Sequence, residues 1–529
     1  MKKLIALFAV SGLMLSACHS SIKEVEPSAA FRNALEEVMQ RQPNALKVKP
    51  DQLDNRKEPI VLQLSYDDCI ELAMAHNRTI LFEQLNAEVA AADVVGSKAN
   101  LDFTVGANVG YTREEQEIQA RFFGDTRNKE ITATTNVGIN ASLPFATGTT
   151  VNISAGFRRS DTNSPFQAFE FFPTSTLTVT QHLLNGFGFV PNLGNTWIAE
   201  NNRTIAEWQI EATRNEQALN VAMAYWNLVE AEGELQVLYR QEDLAEDALD
   251  LAKSRLEAEI GTRLDVLAQE ANLKSQQVAI IQAETLVEQR TDELLHAIHP
   301  DLIHGYALFD NYSIVIETTT VADTSRISAD EPNLLEEVKA ALRRRPEIRQ
   351  AVKRIENAGI SIEVNEYGLL PTLDLETEFT VNGYGEEFDN SLDSWNRFEN
   401  LRYGFSLNFG IPLQNSAGRS ALSKAEIAKR NAILTARETE TGVILEVAAA
   451  VRQIKSARRA VNASEESRRL QNETYEAEQE RQKAGLATSY EVKQALNDLT
   501  QAELDLVKSK IALERARLQL QKSTGELGR

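Results

Sequence analysis

Five apolar residues spaced seven apart, Val266, Leu273, Ile280, Val287 and Leu294, recur 226 positions later as Val492, Leu499, Leu506, Leu513 and Leu520. An unbroken match over five heptads at one offset marks a duplicated chain. The seven-residue period is that of a helix carrying a narrow apolar seam. In the second copy the residues three places after each seam position are small: Ala495, Ala502, Ser509, Ala516 and Ser523. Large side chains alternating with small ones let neighbouring helices approach closely, so the chain is built for long helices packed side by side.

With 529 residues the chain has length for two to four ordinary domains, but duplication favours one pseudo-symmetric body. A net charge of −22 argues against nucleic acid as a partner, because such a binder presents a basic face. Beyond the N-terminus no apolar run reaches the roughly 18 residues of a transmembrane helix. Barrel strands, which spread a weaker apolar signal over alternating positions, are not excluded.

Lys2 and Lys3 followed by the apolar stretch Leu4–Leu15 read as a secretory signal, residues 1–17. Leu15-Ser16-Ala17-Cys18 resembles the lipobox of bacterial lipoproteins, which implies lipid attachment, palmitate included, at Cys18. His19 follows where an Asp would favour inner-membrane retention, so the resemblance implies sorting to the outer membrane. The second cysteine, Cys69, has no disulfide partner and reads as a small buried hydrophobe.

Residues 18–61 are polar and patternless, an N-terminal lipidated arm. A first repeat spans 62–299, a linker 300–331, a second repeat 332–524 and a tail 525–529. In the first repeat a helix over 65–100, with Ser65 as N-cap, leads into Leu101–Tyr111. There apolar residues alternate with Asp102, Thr104, Gly106, Asn108 and Gly110, the pattern of a strand with lipid on one side and water on the other. A second strand passes through Leu177 and Val179, a helix covers Thr196–Glu259, and the first seam helix ends at His299-Pro300. At 1.5 Å per residue the sixty-odd residues of the longer helix span roughly 95 Å. The second repeat gives a helix over 332–369, strands over 372–382 and 402–410, a helix over 416–483 and the second seam helix.

The fold class expected is therefore α+β, a duplicated helix-strand-strand-helix-helix. Four strands per chain are too few for a membrane barrel, which needs about eight, and open edges in lipid cost several kcal/mol per unpaired backbone group. Other copies must complete it. The first repeat is longer by residues 112–174, which contain a hairpin over 136–158 around Thr147-Gly148. An extracellular loop is the favoured reading of this hairpin, and two added barrel strands the alternative.

Three features together resemble the TolC-like outer membrane factor family, the exit ducts of efflux pumps and type I secretion systems. They are the order of elements, the run Gln181-His182-Leu183-Leu184-Asn185-Gly186-Phe187-Gly188 leaving a strand, and the turns Arg255–Val266 and Arg481–Val492 at the 226 offset. The resemblance covers about residues 62–524. It implies a homotrimer whose outer-membrane β-barrel, of about twelve strands, is continued by a long periplasmic α-helical barrel. It also implies a periplasmic adaptor (membrane fusion) protein, an inner-membrane pump of RND or ABC type, contact with outer-membrane lipid, and passive conduction of small molecules such as drugs and toxic compounds. The tip turns then hold the gate, with Asp265 and Glu491 as inward carboxylates and Arg263 as a candidate cation. Gly261, Thr262, Gly485, Leu486 and Thr488 are the candidate adaptor contacts. The family's tyrosine and arginine lock is not reproduced: Gln482 and Ala487 occupy the matching places, and Glu259 replaces the first-copy glycine. The same acids are equally explained as helix-start residues favoured by the macrodipole.

No nucleophile or phosphate motif is present, so no enzyme, cofactor or metal is expected. His296, His299 and His304 near a helix C-terminus suit the dipole better than a metal. A type I protein secretion duct is the nearest alternative. A lipid-anchored periplasmic coiled-coil scaffold is the more distant one, and two sets of alternating strands argue against it.

Overall fold

The computed structural model describes residues 33–34, 36–38, 60–118, 128–164, 169–304, 314–320 and 332–527. Cys18 and the signal segment 1–17 lie outside them, as do most of the arm and most of the linker. In chain order the elements are β1 (Ile60–Leu64), α1 (Tyr66–His76), α2 (Arg78–Gly96), β2 (Thr104–Glu117), β3 (Lys129–Pro144), β4 (Thr149–Thr162) and β5 (Phe171–His182). Then come α3 (Phe189–Glu257), α4 (Arg263–Ile298), β6 (Ile314–Thr318), α5 (Leu334–Arg344), α6 (Pro346–Tyr367), β7 (Thr372–Asn382), α7 (Phe388–Asn396), β8 (Asn400–Gly410), α8 (Ser416–Lys483) and α9 (Ser489–Thr524).

Two expected helices are each divided in two, for local reasons. After α1 the Asn77 side-chain oxygen accepts from the N–H groups of Thr79 (2.9 Å) and Ile80 (3.3 Å), starting α2 afresh. At Pro346 the missing N–H breaks the ladder and α6 begins with proline in its first turn.

The chain forms two compact units. The first holds the described residues up to Leu81, Thr213–Val338 and those from Glu446 onward. Here β1 and β6 pair in parallel, Ile60 with Ile314 through Leu64 with Thr318. Thus the end of the arm, read from sequence as patternless, runs with the first residues of the first repeat into one strand of a two-stranded sheet, and the linker supplies the other. Leu62, Leu64 and Ile316 from it bury against Cys69, Leu72, Tyr225 and Leu294. Tyr225 is fully buried; its hydroxyl donates to the Leu64 carbonyl (3.4 Å) and accepts from the Thr320 N–H (3.1 Å). Cys69 is free and fully buried, as expected of a small hydrophobe, and burial pushes its thiol pKa up.

The seam behaves as its period requires. Leu273, Ile280, Leu294, Val492, Leu499 and Leu513 are buried, and Val266, Val287, Leu506 and Leu520 are half-buried. All five small partners, Ala495, Ala502, Ser509, Ala516 and Ser523, are buried. A Cβ on Gly233 of α3 would stand 3.0 Å from Val507 Cγ1, so this glycine permits close approach between α3 and α9.

The second unit holds Phe82–Ala212 and Lys339–Leu445 and contains one antiparallel sheet in the order β2-β3-β4-β5-β7-β8. This corrects two expectations: among the described residues six strands, not four, form one sheet, and the hairpin over 136–158 is paired into it rather than projecting as a loop. The reason is that the alternation of β3 and β4 matches that of their neighbours. One row runs in register through Val105, Ala141, Ile153, Leu177, Phe379 and Tyr403, and the row on the opposite face through Gly106, Asn140, Ser154, Thr176, Thr380 and Arg402. One face of the sheet is apolar and the other polar across all six strands.

Candidate functional site: the paired helix turns

The turns α3–α4 and α8–α9 both lie in the first unit. Each ends its first helix through a residue in the left-handed region: Gly485 at φ 73° and its repeat equivalent Glu259 at φ 61°. The amide of Leu486 bonds the Arg481 carbonyl (2.8 Å), and that of Ile260 bonds the Arg255 carbonyl (3.0 Å). The left-handed conformation costs a side-chain-bearing residue about 1 kcal/mol that glycine does not incur. Glu259→Gly should therefore stabilise the first turn by roughly 0.5–1 kcal/mol, seen as slower amide exchange over 255–266. Faster exchange would show that the Glu259 side chain holds the turn.

Each seam helix then opens with a reciprocal cap. Asp265 Oδ2 accepts from the Thr262 N–H (3.1 Å) and hydroxyl (2.6 Å), while the Asp265 N–H donates back to Thr262 Oγ1 (3.2 Å). Glu491 Oε2 likewise accepts from the Thr488 N–H (2.6 Å) and hydroxyl (2.9 Å). The Thr488 backbone, then its hydroxyl, hold the Glu491 carboxyl below the usual range, and Arg481 adds to this. Thr-x-x-Asp/Glu is the sequence signature of such a capping box. The two carboxylates singled out from sequence thus act locally as helix caps, at equivalent positions in the two repeats.

Arg263 is exposed and bonds to neither carboxylate. The cation that ties the turns together is Arg255, whose guanidinium donates to the Gln482 carbonyl (3.1 Å). Its repeat equivalent Arg481 stays within its own turn, on Glu478 (2.6 Å) and the Leu486 carbonyl (3.4 Å). Between the hairpins lies a cavity of about 260 Å³ lined by Leu244, Arg255, Asp265, Tyr475, Gln482 and Leu496.

Of the candidate contacts, Thr262, Gly485, Leu486 and Thr488 are exposed and Gly261 is half-buried. Leu486 belongs to a more prominent feature whose other three members sequence reasoning missed, two pairs of exposed apolar side chains at repeat-equivalent positions. These are Ile260 (78% exposed) with Leu486 (71%), and Leu264 (75%) with Tyr490 (74%). The 226 offset, applied beyond the seam, was the signal that would have found them.

His299 lies elsewhere in the first unit, as the C-cap of α4, with its ring stacked on His76 at 4.4 Å. His76 Nε2 bonds Glu37 (2.9 Å), so the three could be read as a metal cluster. The imidazole planes lie within 19° of parallel, which keeps their in-plane lone pairs from converging on one ion. Burial, then the neighbouring His76, lowers the His299 pKa and favours the neutral ring.

One apolar and one polar face on a single sheet, in a chain with duplicated long-helix hairpins, is the pattern that the wall of a membrane channel requires. The comparisons agree. A search of curated proteins finds no match. Among solved structures the chain is similar to the CusC transmembrane channel (15% identity, TM-score 0.64, covering 87% of this chain and 91% of that one). It is also similar to the Campylobacter jejuni CmeC outer membrane channel (15%, 0.60, 92% and 93%) and the Neisseria gonorrhoeae MtrE outer membrane channel (17%, 0.61, 87% and 89%). The fold is that of the TolC-like outer membrane channels. The family model for outer membrane efflux proteins matches residues 150–298 and 338–526, and the chain belongs to that family.

Proposed function

We propose that this chain is the outer-membrane exit duct of a tripartite efflux system. It passively conducts small molecules delivered by an inner-membrane pump of RND or ABC type through a periplasmic adaptor. The observation that carries this reading is the two-faced sheet: an apolar face suits lipid, a polar face suits a water-filled lumen, and open edges call for further copies, here a homotrimer. Cys18 adds a lipid anchor. The duplicated apolar quartet Ile260, Leu264, Leu486 and Tyr490 is the adaptor-docking surface at the turns, and Gly261, Thr262, Gly485 and Thr488 shape it. Asp265 and Glu491 supply the negative charge of the gate. Their capping geometry supports this reading by fixing both at the first turn of a seam helix. Arg255 replaces Arg263 as the closing cation, because it already bonds across the two turns.

Single-channel recording in planar bilayers tests the proposal. The unsubstituted protein should give discrete, mostly closed channels, and Arg255→Ala should raise the open fraction severalfold. The Asp265→Asn, Glu491→Gln double variant should lose cation preference. A protein that inserts but never gives a discrete conductance would end the duct reading. Discrete channels unaltered by Arg255→Ala would remove Arg255 from the lock.

A further inference from the structure

The hairpin β3–β4 distinguishes the first repeat from the second, and the structure ties it into the sheet at three levels. At its turn, Gly148 has φ 80°, and a Cβ there would fall 2.2 Å from the Gly186 carbonyl oxygen. The Gly188 N–H donates to the Thr147 carbonyl (3.1 Å), and the Asn192 amide donates to the carbonyls of Gly186 and Gly188 (2.8 and 2.7 Å). So the hairpin turn docks on the strand-to-helix junction after β5, the same end of the sheet from which α3 departs.

Along its length β3 is locked to β2 by interleaved glycine and asparagine. Gly106 faces Asn140, Asn108 faces Gly138 and Gly110 faces Asn136. A Cβ on Gly106 would meet Asn140 Oδ1 at 2.6 Å, and one on Gly138 would meet Asn108 Oδ1 at 2.7 Å, so these two amides lie over their opposing glycines, while the space over Gly110 is open. A slip of two residues would set asparagine on asparagine and glycine on glycine, so this pairing specifies its register. Across the sheet, Ile139 and Ile153 are 59% and 49% exposed on the apolar face, which continues from β2 through β8 with the small polar side chains of Ser175 and Thr377 set among its apolar rows.

The two edges of the sheet are β2 and β8. The strands alternate in direction, so the first and last of six run oppositely and an edge-to-edge meeting of β8 with β2 is antiparallel. Six strands are still short of the roughly eight that a membrane barrel needs, so β8 cannot pair with β2 of its own chain. An apolar edge left open in lipid would strand its backbone groups.

We propose that β3 and β4 are membrane wall in every copy and that β8 of one copy pairs with β2 of the next. A trimer then closes as eighteen strands rather than twelve. This rests on the duct reading above and deepens it. Barrel diameter grows roughly linearly with strand number, so the outer-membrane cross-section becomes about twice that of a twelve-strand barrel and falls in the range of the open porins. The extra width makes the paired helix turns, not the barrel, the place where passage is limited.

Fluorophores placed one at a time by cysteine substitution in a Cys69→Ala background, in vesicles with brominated acyl chains, test this. That background itself, labelled without a new cysteine, gives the baseline. Phe405→Cys on β8 reports whether the sheet is in lipid at all. Ile139→Cys and Ile153→Cys should be quenched by lipid bromine as strongly as Phe405→Cys. Asn140→Cys and Ser154→Cys should respond only to aqueous iodide. A second measurement fixes the closing pair: Val109→Cys on β2, combined with a cysteine scan over 401–407 of β8, should give disulfide-linked oligomers up to a trimer at one register. Lipid quenching at Phe405 with none at Ile139 and Ile153 would overturn the proposal and leave the duct intact. So would cross-linking of β8 to β5 of the next copy. Absence of lipid quenching at all positions, Phe405 included, would instead defeat the duct reading itself.

Discussion

Truncating Leu513 to alanine should destabilise the first unit by about 2–5 kcal/mol, the range for removing a fully buried leucine from a core that cannot collapse. Leu513 is 2% exposed and packs with Ile454, Ala457, Val461 and Ala516, a small cluster joining α8 to the second seam helix. Its neighbours from α8 are mostly small or β-branched and sit on a rigid helix, so little can move into the space left behind. The repeat-equivalent Val287 is only half-buried, and Val287→Ala should cost far less. Urea unfolding of the detergent-solubilised protein, with amide exchange over 454–461 and 509–518, measures both. Equal losses at the two positions would mean that the repeats bury their seams alike, against the asymmetry seen here.

How far such features could be read beforehand depended on their range along the chain. The seam and its small partners are periodic within one helix, and Ala495 through Ser523 needed only the heptad to be placed inside. Strand alternation over 372–382 was legible for the same reason. The β1–β6 sheet was not: two five-residue strands pair across 254 positions, and nothing local in Ile60–Leu64 or Ile314–Thr318 announces a partner. The hairpin was a different failure. Its alternation was visible, but a loop ribbon and a wall strand share that pattern, and only the register against β2 and β5 separates them. At the turns, charge drew attention to Arg263, whereas the bond across the turns is made by Arg255, whose reach to a backbone carbonyl has no sequence signature. Asp265 and Glu491 stand in the first turns of the seam helices, and their immediate work there, capping, follows from the threonine three residues before each.

Replacing Phe405 by arginine should cost about 2–4 kcal/mol per copy in a lipid bilayer, the penalty for a cation at mid-depth on the outside of a barrel. On β8 the apolar face runs Leu401, Tyr403, Phe405, Leu407 and Phe409, and Phe405 is its centre, 82% exposed within the single chain. From that depth an arginine has the longest way to snorkel to either interface, and the neighbouring Thr377 on β7 offers it no carboxylate. Its immediate neighbour Ser406 projects from the opposite, polar face and pairs with Glu376, so Ser406→Arg places the same charge in water beside an acid and should be nearly neutral. The contrast between adjacent positions separates a membrane effect from a general intolerance of charge in the strand. Urea-dependent folding into phospholipid vesicles gives the free-energy difference, and the amount of folded protein recovered in outer membranes gives its consequence. If both substitutions were tolerated equally, the apolar face would not meet lipid, and the sheet would have to bury that face against protein instead.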